Sequence, residues 1–194
     1  MKKAMIFAAG IGSRLRPITD RMPKALVPVG GIPMLQRTLL RLNEAGFNDV
    51  TINIHHFGQQ IIDFLQHNDN FGMNIHISDE RDELLDTGGG ILKARHFLDG
   101  DEPFLVHNVD ILSDIDLKHV YDTHVQSGAD ATLLVSDRLT TRKLLFNKDM
   151  HLQGWLNHST GEVKPEGFTV NTQQHRELAF EGIHVISPTL FKYM

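Results

Sequence analysis

Residues 5 to 29 read MIFAAGIGSRLRPITDRMPKALVPV, an apolar run that gives way to Gly10, Gly12, Ser13 and the cations Arg14, Arg16 and Lys24. Glycine lacks a Cβ, so the backbone N–H groups around Gly10 and Gly12 can come close to a polyphosphate, while Ser13, Arg14, Arg16 and Lys24 add side-chain donors and charge. Two familiar phosphate loops are excluded. The dinucleotide fingerprint G-x-G-x-x-G fails because Leu15 occupies the place of the third glycine, and no G-x-x-x-x-G-K-[ST] occurs. What remains is a triphosphate cradle of another kind, set directly after a buried strand.

Two further stretches carry chemistry. In LLDTGGGILKA, residues 84 to 94, three consecutive glycines before a helical segment let a planar base lie against backbone and expose the unpaired N–H groups of a helix start. In FLVHNVDILSD, residues 104 to 114, a buried strand ends in Asn108-Val109-Asp110. Asp110 then stands at the carboxyl end of the sheet, beside the phosphate loop if the strand order reverses there. A hard carboxylate together with phosphate oxygens is the usual way to hold Mg²⁺. The twelve histidines lack any zinc-binding spacing, and His55 and His56, adjacent on a strand, point to opposite faces. Trp155, the only tryptophan, reads as a packing residue.

Short apolar runs alternating with segments of helical period must position these groups. Residues 4–9, 50–54, 74–78, 103–108 and 131–136 read as strands. Residues 33–45, 57–66, 87–98 and 116–128 read as helices, the first opened by Pro33 and closed by Gly46, the last closed by Gly128. This is the texture of a doubly wound α/β fold on a mostly parallel sheet. From residue 137 onward, RKLLFN, HLQGWL and LAFEGIHVI predict strands joined by polar turns, and SPTLFKYM predicts the start of a helix at Ser187-Pro188.

With 194 residues, 41% of them hydrophobic, the chain can bury one substantial core. A net charge of −5 with scattered cations argues against a nucleic-acid partner. The absence of cysteine removes disulfides and thiolate chemistry and fits a cytoplasmic protein. No stretch approaches the roughly 20 apolar residues of a membrane span, so no membrane partner is expected.

The ordered stretch AAGIGSRLRPITDRMPKALVPVGGIPML resembles the N-terminal signature of the sugar-phosphate nucleotidyltransferases, L-A-A-G-x-G-x-R-(L/M)-x-P-x-T followed by P-K-(P/A)-L. Within that superfamily the chain is most similar to N-acetylmuramate 1-phosphate uridylyltransferases and mannose-1-phosphate guanylyltransferases, in LLDTGGGILKA and FEGIHVISPTLF as well. The likeness runs along the whole chain, strong as far as Asp110 and thinner from Arg138 to Gln174. It implies one domain over residues 1–194, an α/β, Rossmann-like (GT-A-like) three-layer sandwich with a nucleotide-binding core (1–136) and a β-rich sugar-binding part (137–194). It also implies transfer of a nucleotidyl group from UTP or GTP to a sugar 1-phosphate, with Mg²⁺.

Carried over by position, the resemblance places Ala8, Ala9, Gly10, Gly12, Ser13 and Asn108 at the nucleotide, with Arg14 on the triphosphate. Lys24 lies between the α-phosphate and the sugar phosphate, Thr87, Gly88 and Gly89 lie at the base, and Asp110 holds the metal. Arg14, Lys24 and Asp110 form the catalytic set. Glu181 and Gly182 fall where relatives hold the sugar, as candidates for contacts to its hydroxyls, and Arg142 and Lys143 are candidates to meet the sugar phosphate. The family's Gly-Asp pair is here Val109-Asp110. Its second metal-binding Asp, in a V-D-V/I-G-like stretch, has no match between Glu166 and Met194, so that carboxylate is expected beyond Met194, or else the chain is a non-catalytic homologue. A cytidylyltransferase acting on a phospho-alcohol such as phosphocholine is the nearer rival, though two tyrosines and one tryptophan supply an ammonium cage poorly.

Overall fold

In the computed structural model, which describes residues 1–171 and 173–194, the apolar run of the N-terminus forms strand β1 (Lys2–Phe7). Three short 3₁₀ turns, at Ser13–Leu15, Ile18–Asp20 and Lys24–Leu26, carry the cationic loop to a small hairpin of β2 (Pro28–Val29) and β3 (Ile32–Pro33). Then follow α1 (Met34–Glu44), β4 (Phe47–Ile54), α2 (Gly58–His67), β5 (Asn74–Asp79), α3 (Asp86–Lys93), α4 (Arg95–Leu98), β6 (Phe104–Asn108) and α5 (Leu117–Ser127). The chain closes with β7 (Ala131–Ser136), β8 (Arg142–Phe146), β9 (Leu152–Asn157), β10 (Glu162–Lys164), β11 (Arg176–Ile186) and a 3₁₀ segment, Pro188–Tyr193. The helix signals act at their expected places. Gly46, at φ +85°, follows α1, and Asp116 caps α5 by accepting the His119 N–H at 2.9 Å. The helix expected over 87–98 instead breaks at Ala94 into α3 and α4, and the terminal segment winds as 3₁₀ rather than α.

The chain divides into two compact units, residues 1–132 with 182–194, and residues 133–181. In the first unit the strands stand in the order β5-β4-β1-β6, all parallel, and the last residues of β11 add an antiparallel edge, from Ile183 opposite His107 to Ile186 opposite Phe104. The second unit is an antiparallel meander, β10-β9-β8 with the first residues of β11. The strand expected over 131–136 is β7, which pairs with β11. The architecture of the first unit is the expected Rossmann-like α/β sheet. Among the described residues, no helix is long and apolar enough to cross a membrane.

Register explains the core. Met5 and Val106 pair across β1 and β6, and with Phe104 and Ile186 they meet Ile91, Ala94 and Leu98 of the α3–α4 region and Phe191 of the terminal segment. The alternate residues serve the other face, where Phe47, opposite Lys2, meets Tyr121 of α5 edge-on at 5.4 Å. Leu35, Leu39 and Leu42 of α1 are completely buried at helical spacing. Each such side chain contributes roughly 1.5–3 kcal/mol. Exposed pairs such as Arg95–Asp99 and Lys118–Asp122 are screened by solvent and add little. The apolar layers therefore hold the fold.

Two histidines lie inside these layers. Burial pushes both His107 and His184 down to about 4, and the His107 Nδ1–H donates to the Asn108 carbonyl at 2.7 Å. An unfolded imidazole protonates near 6.5, so between 6.5 and about 4 the unfolded chain binds protons that the folded chain does not. This stability is complete above the upper value and falls with pH by about 1.4 kcal/mol per unit for each histidine. Urea midpoints are expected to drop from about pH 7 to about pH 5, and His107→Leu to flatten the slope; a midpoint indifferent to pH contradicts two buried neutral imidazoles.

Candidate functional site

Because β1, β4, β5 and β6 are parallel, their carboxyl ends at Phe7, Ile54, Asp79 and Asn108 lie along one edge. The order turns back at β1, with β4 on one side and β6 on the other, which leaves an uncovered crevice above that strand. The glycine loop leaves β1 into this crevice. Gly12 sits at φ +70°, and its carbonyl accepts from the Leu15 N–H at 2.8 Å and the Thr19 Oγ1 hydroxyl at 2.9 Å. A Cβ at Gly12 would lie 2.9 Å from Thr19 Cγ2 and 3.0 Å from Lys24 Cβ. The loop is thus wound onto the stem of Lys24.

Lys24 Nζ makes an ion pair with Asp110 Oδ2, just beyond the end of β6. Two clefts meet at that pair, and Gly10, Lys24 and Asp110 line both. One, of about 490 Å³, is bounded by Gly12, Ser13, Arg14, Leu15 and Met34. The other, of about 230 Å³, is bounded by Phe7, Ala9, Asn53, Glu80, Thr87 and Asn108 among others. The cationic loop and the threonine before the three glycines therefore open on opposite sides of one lysine–carboxylate pair. Asn108 is held closely from behind. Gly182, at φ +75°, approaches so near that a Cβ there would be 2.8 Å from Asn108 Nδ2 and 3.0 Å from Ile111 Cγ1.

The nucleotide-side residues differ in what they can offer. Ala8 and Ala9 give their N–H groups to Asn53 Oδ1, at 2.7 and 3.2 Å, so those two donors serve the fold. Arg14 and Ser13 are exposed on the loop. A Cβ at either Gly10 or Gly88 would meet nothing within 4 Å, whereas at Gly89 it would press on Leu85 Cβ at 3.0 Å. In the second unit, Glu181 accepts from the Ser136 hydroxyl at 2.6 Å and from Arg138 Nε at 2.8 Å. There Lys143 donates to the Arg138 carbonyl at 2.8 Å, while Arg142 is exposed.

Asp110 suits Mg²⁺ as a single hard oxygen ligand. The ion dehydrates reluctantly and is commonly held by one or two carboxylates plus substrate phosphates, and Asp110 stands at the edge of the clefts with a third of its side chain exposed. Among the described residues, no three histidines or carboxylates gather into a cage for a metal. Phosphate oxygens would complete the set.

Residues 3–143 match the nucleotidyl transferase family. The chain belongs to this family. It is 46% identical over 121 residues to an N-acetylmuramate alpha-1-phosphate uridylyltransferase of Neisseria meningitidis serogroup B, covering 62% of this chain and 52% of that protein. A protein of the same name from Caulobacter vibrioides is 32% identical over 197 residues, covering 97% of this chain and 76% of the other. The first match thus spans about half of the relative's length. A UDP-glucose pyrophosphorylase from Acinetobacter baumanii superposes with a TM-score of 0.76 at 18% identity, covering 99% of this chain and 76% of that one, and so shares the fold.

In this member of the nucleotidyl transferase family the residues of the signature have separate structural parts. Thr19 and Gly90 lie in the quoted motifs without a part assigned to them, and Asn53 and Glu80 belong to none, although both carry a signal: a polar amide interrupts the apolar strand VTINI, and an acid follows the strand NIHISD. If Gly12 winds the loop onto Lys24, Gly12→Ala costs about 1–3 kcal/mol in strain and displaces the lysine, and Thr19→Val costs about 1 kcal/mol by losing one hydrogen bond. Thermal and urea unfolding of the two variants test this, and an unchanged Gly12→Ala midpoint would refute it.

Proposed function

We propose that the chain forms an NDP-sugar and pyrophosphate from a nucleoside triphosphate and a sugar 1-phosphate. The carrying observation is the Lys24–Asp110 pair at the junction of the two clefts. The site has to bring two anions together and stabilise charge at the phosphorus between them, and a cation beside a metal-binding carboxylate at that junction does so. In this reading Ser13 and Arg14 take the β- and γ-phosphates, Lys24 the α-phosphate and the incoming sugar phosphate, and Thr87, Gly88 and Gly89 the base. Gly10, Ala9 and Asn108 border the nucleotide. Gly182 supports Asn108, and Glu181 and Arg142 retain sugar contacts on the strength of their sequence positions.

A phosphate oxygen of the sugar 1-phosphate forms a bond to the α-phosphorus in line with the bond to the β-phosphate, which breaks as pyrophosphate leaves. The attacking phosphate is ionised at neutral pH, so no protein nucleophile or general base is needed. Asp110 together with phosphate oxygens would hold Mg²⁺, which when bound would supply Lewis-acid charge at the phosphates. Lys24 exchanges Asp110 for phosphate when the nucleotide enters, so substrate binding itself breaks the ion pair. UTP with N-acetylmuramate 1-phosphate, in line with the uridylyltransferase relatives, is the first pair. GTP with mannose 1-phosphate, in line with the mannose-1-phosphate guanyltransferases to which the chain is also similar, is the second, and this reading places the protein in the cytoplasm.

Pyrophosphate release is expected with Mg²⁺ and one such pair, and failure with every pair contradicts the enzyme reading. Lys24→Ala and Asp110→Asn are each expected to lower kcat/KM by roughly 10²–10³; full activity in Asp110→Asn removes it from metal binding. Gly88→Ala is the sharper probe of the base side. Its added methyl meets open space and favours the helix by up to about 1 kcal/mol, so the fold is as stable or more so while the KM for the nucleotide rises. An unaltered KM takes Gly88 out of base contact.

A further inference from the structure

Asn53 stands level with Phe7 of β1 and Ser78 of β5, and it is 1% exposed. Its amide is engaged across the crevice at both ends. Oδ1 receives the Ala8 and Ala9 N–H groups, and Nδ2 donates to Glu80 Oε1 at 2.9 Å. Glu80 is fully buried just past the end of β5, its backbone clamped on both sides: the N–H donates to the Ile54 carbonyl at 2.8 Å, and the carbonyl accepts from His55 Nδ1 at 2.6 Å. Its second oxygen, Oε2, takes the Leu85 N–H at 3.4 Å, immediately before α3. From the far side Gly90 presses in, and a Cβ there would lie 2.9 Å from Glu80 Oε1 and 3.4 Å from Asn53 Nδ2.

Among the described residues, no lysine, arginine or histidine forms an ion pair with Glu80. A buried carboxylate without a cation is a costly way to fill space, and an apolar pair of similar volume packs more favourably. Its use lies in what it joins. The phosphate loop at Ala8–Gly10 and the base-side segment at Leu85–Gly90 belong to different βα units, and the chain Ala8/Ala9–Asn53–Glu80–Leu85 is a hydrogen-bonded bridge between them.

We propose that Asn53 and Glu80 are positioning residues that set the distance between the phosphate and base subsites before the nucleotide arrives, and so govern discrimination between bases. This rests on the reading of the two clefts as one nucleotide site. Both side chains border the smaller cleft but are only 1% and 0% exposed, so they act through the segments they hold. Preorganisation of this kind matters when reacting groups tolerate little displacement, an error of about 1 Å costing on the order of 100-fold in rate.

A donor–acceptor exchange tests the bridge. Asn53→Asp keeps an acceptor for the Ala8 and Ala9 N–H groups but faces Glu80 with a second carboxylate. Glu80→Gln alone turns an amide donor toward either the Leu85 N–H or the Asn53 amide. When Asn53→Asp and Glu80→Gln are combined, the new amide at position 80 donates to the new carboxylate at position 53 and its carbonyl accepts from Leu85, so all bonds return with roles reversed and the net charge unchanged. Binding of UTP and GTP with Mg²⁺ by calorimetry, and kcat and KM for each, are measured beside thermal unfolding.

Each single variant is expected to lose roughly 10- to 100-fold in kcat/KM for the preferred nucleotide and to narrow the UTP-to-GTP ratio, and the double variant to recover most of both. A double variant no better than Asn53→Asp overturns the proposal, as do variants that melt earlier while keeping wild-type kinetics and base preference. Gly90→Ala displaces Glu80 without altering either bridge side chain; it is expected to narrow the same ratio, and an unchanged ratio overturns the proposal even if Asn53→Asp does not fold. Wild-type protein that binds neither nucleotide overturns the functional reading and this inference together, whereas binding without recovery in the double variant overturns the inference alone.

Discussion

The constraint on which the site depends is the reversal of strand order at β1. The connection from β1 to β4 and the connection from β5 to β6 run in opposite directions along the sheet and so lie on opposite faces, which leaves the gap at the ends of β1 and β6 uncovered, with backbone N–H groups and side chains facing it. The groups with chemistry in the first unit sit along that gap: the glycine loop after β1, Asn53 near the end of β4, Glu80 after β5 and Asp110 after β6. The apolar layers beneath are rigid enough to hold these ends at fixed spacing. Met5, Val106 and Phe104 are wholly buried on one face, and Ala4, Ile6 and Leu105 fill the alternate positions.

Charge is then handled by two opposite solutions at neighbouring strand ends. Lys24 and Asp110 neutralise one another at the partly exposed junction, where water eases their separation and a phosphate can replace the carboxylate as the lysine's partner. Glu80, by contrast, is sealed from solvent and held by hydrogen bonds alone. The exposed pair can exchange partners during a cycle. The buried carboxylate cannot, and its place is in the scaffold that defines the site. A single acid in the wrong one of these environments would either jam the phosphate path or loosen the bridge.

Much of the first unit was legible in the sequence because its signals are local. Apolar runs of strand length, Pro33 before α1, Gly46 after it and Gly128 after α5 act through neighbouring backbone. The glycine loop after β1 was legible for the same reason, since glycines and cations follow one another along the chain. The Asn53–Glu80 bridge was not, because a single asparagine in VTINI gains meaning only when β4 is placed beside β1 and β5. The break at Ala94 was hidden as well: LLDTGGGILKARHFL keeps a helical period through it, and the way the segment packs against β1 is a tertiary matter. The return of β11 to pair with β6 likewise depends on long-range register, which the alternation of LAFEGIHVI allows but does not specify.

The glycines show how fold and site divide the same residue type. At Gly12 and Gly182 the backbone has φ of +70° and +75°, and neighbouring atoms stand within 3 Å of where a Cβ would lie, so the folded chain itself forbids a side chain. Gly90 has ordinary helical backbone, yet Glu80 and Phe7 exclude a Cβ from it. At Gly10 and Gly88 neither restriction holds: backbone is ordinary, the surroundings are open, and both lie where the clefts receive loop and helix start. A glycine that the fold does not require, in a helix where it costs about 1 kcal/mol relative to alanine, is explained by something that comes close from outside the chain. In the proposed function those two openings take the flat face of a base against α3 and a phosphate against the β1 loop.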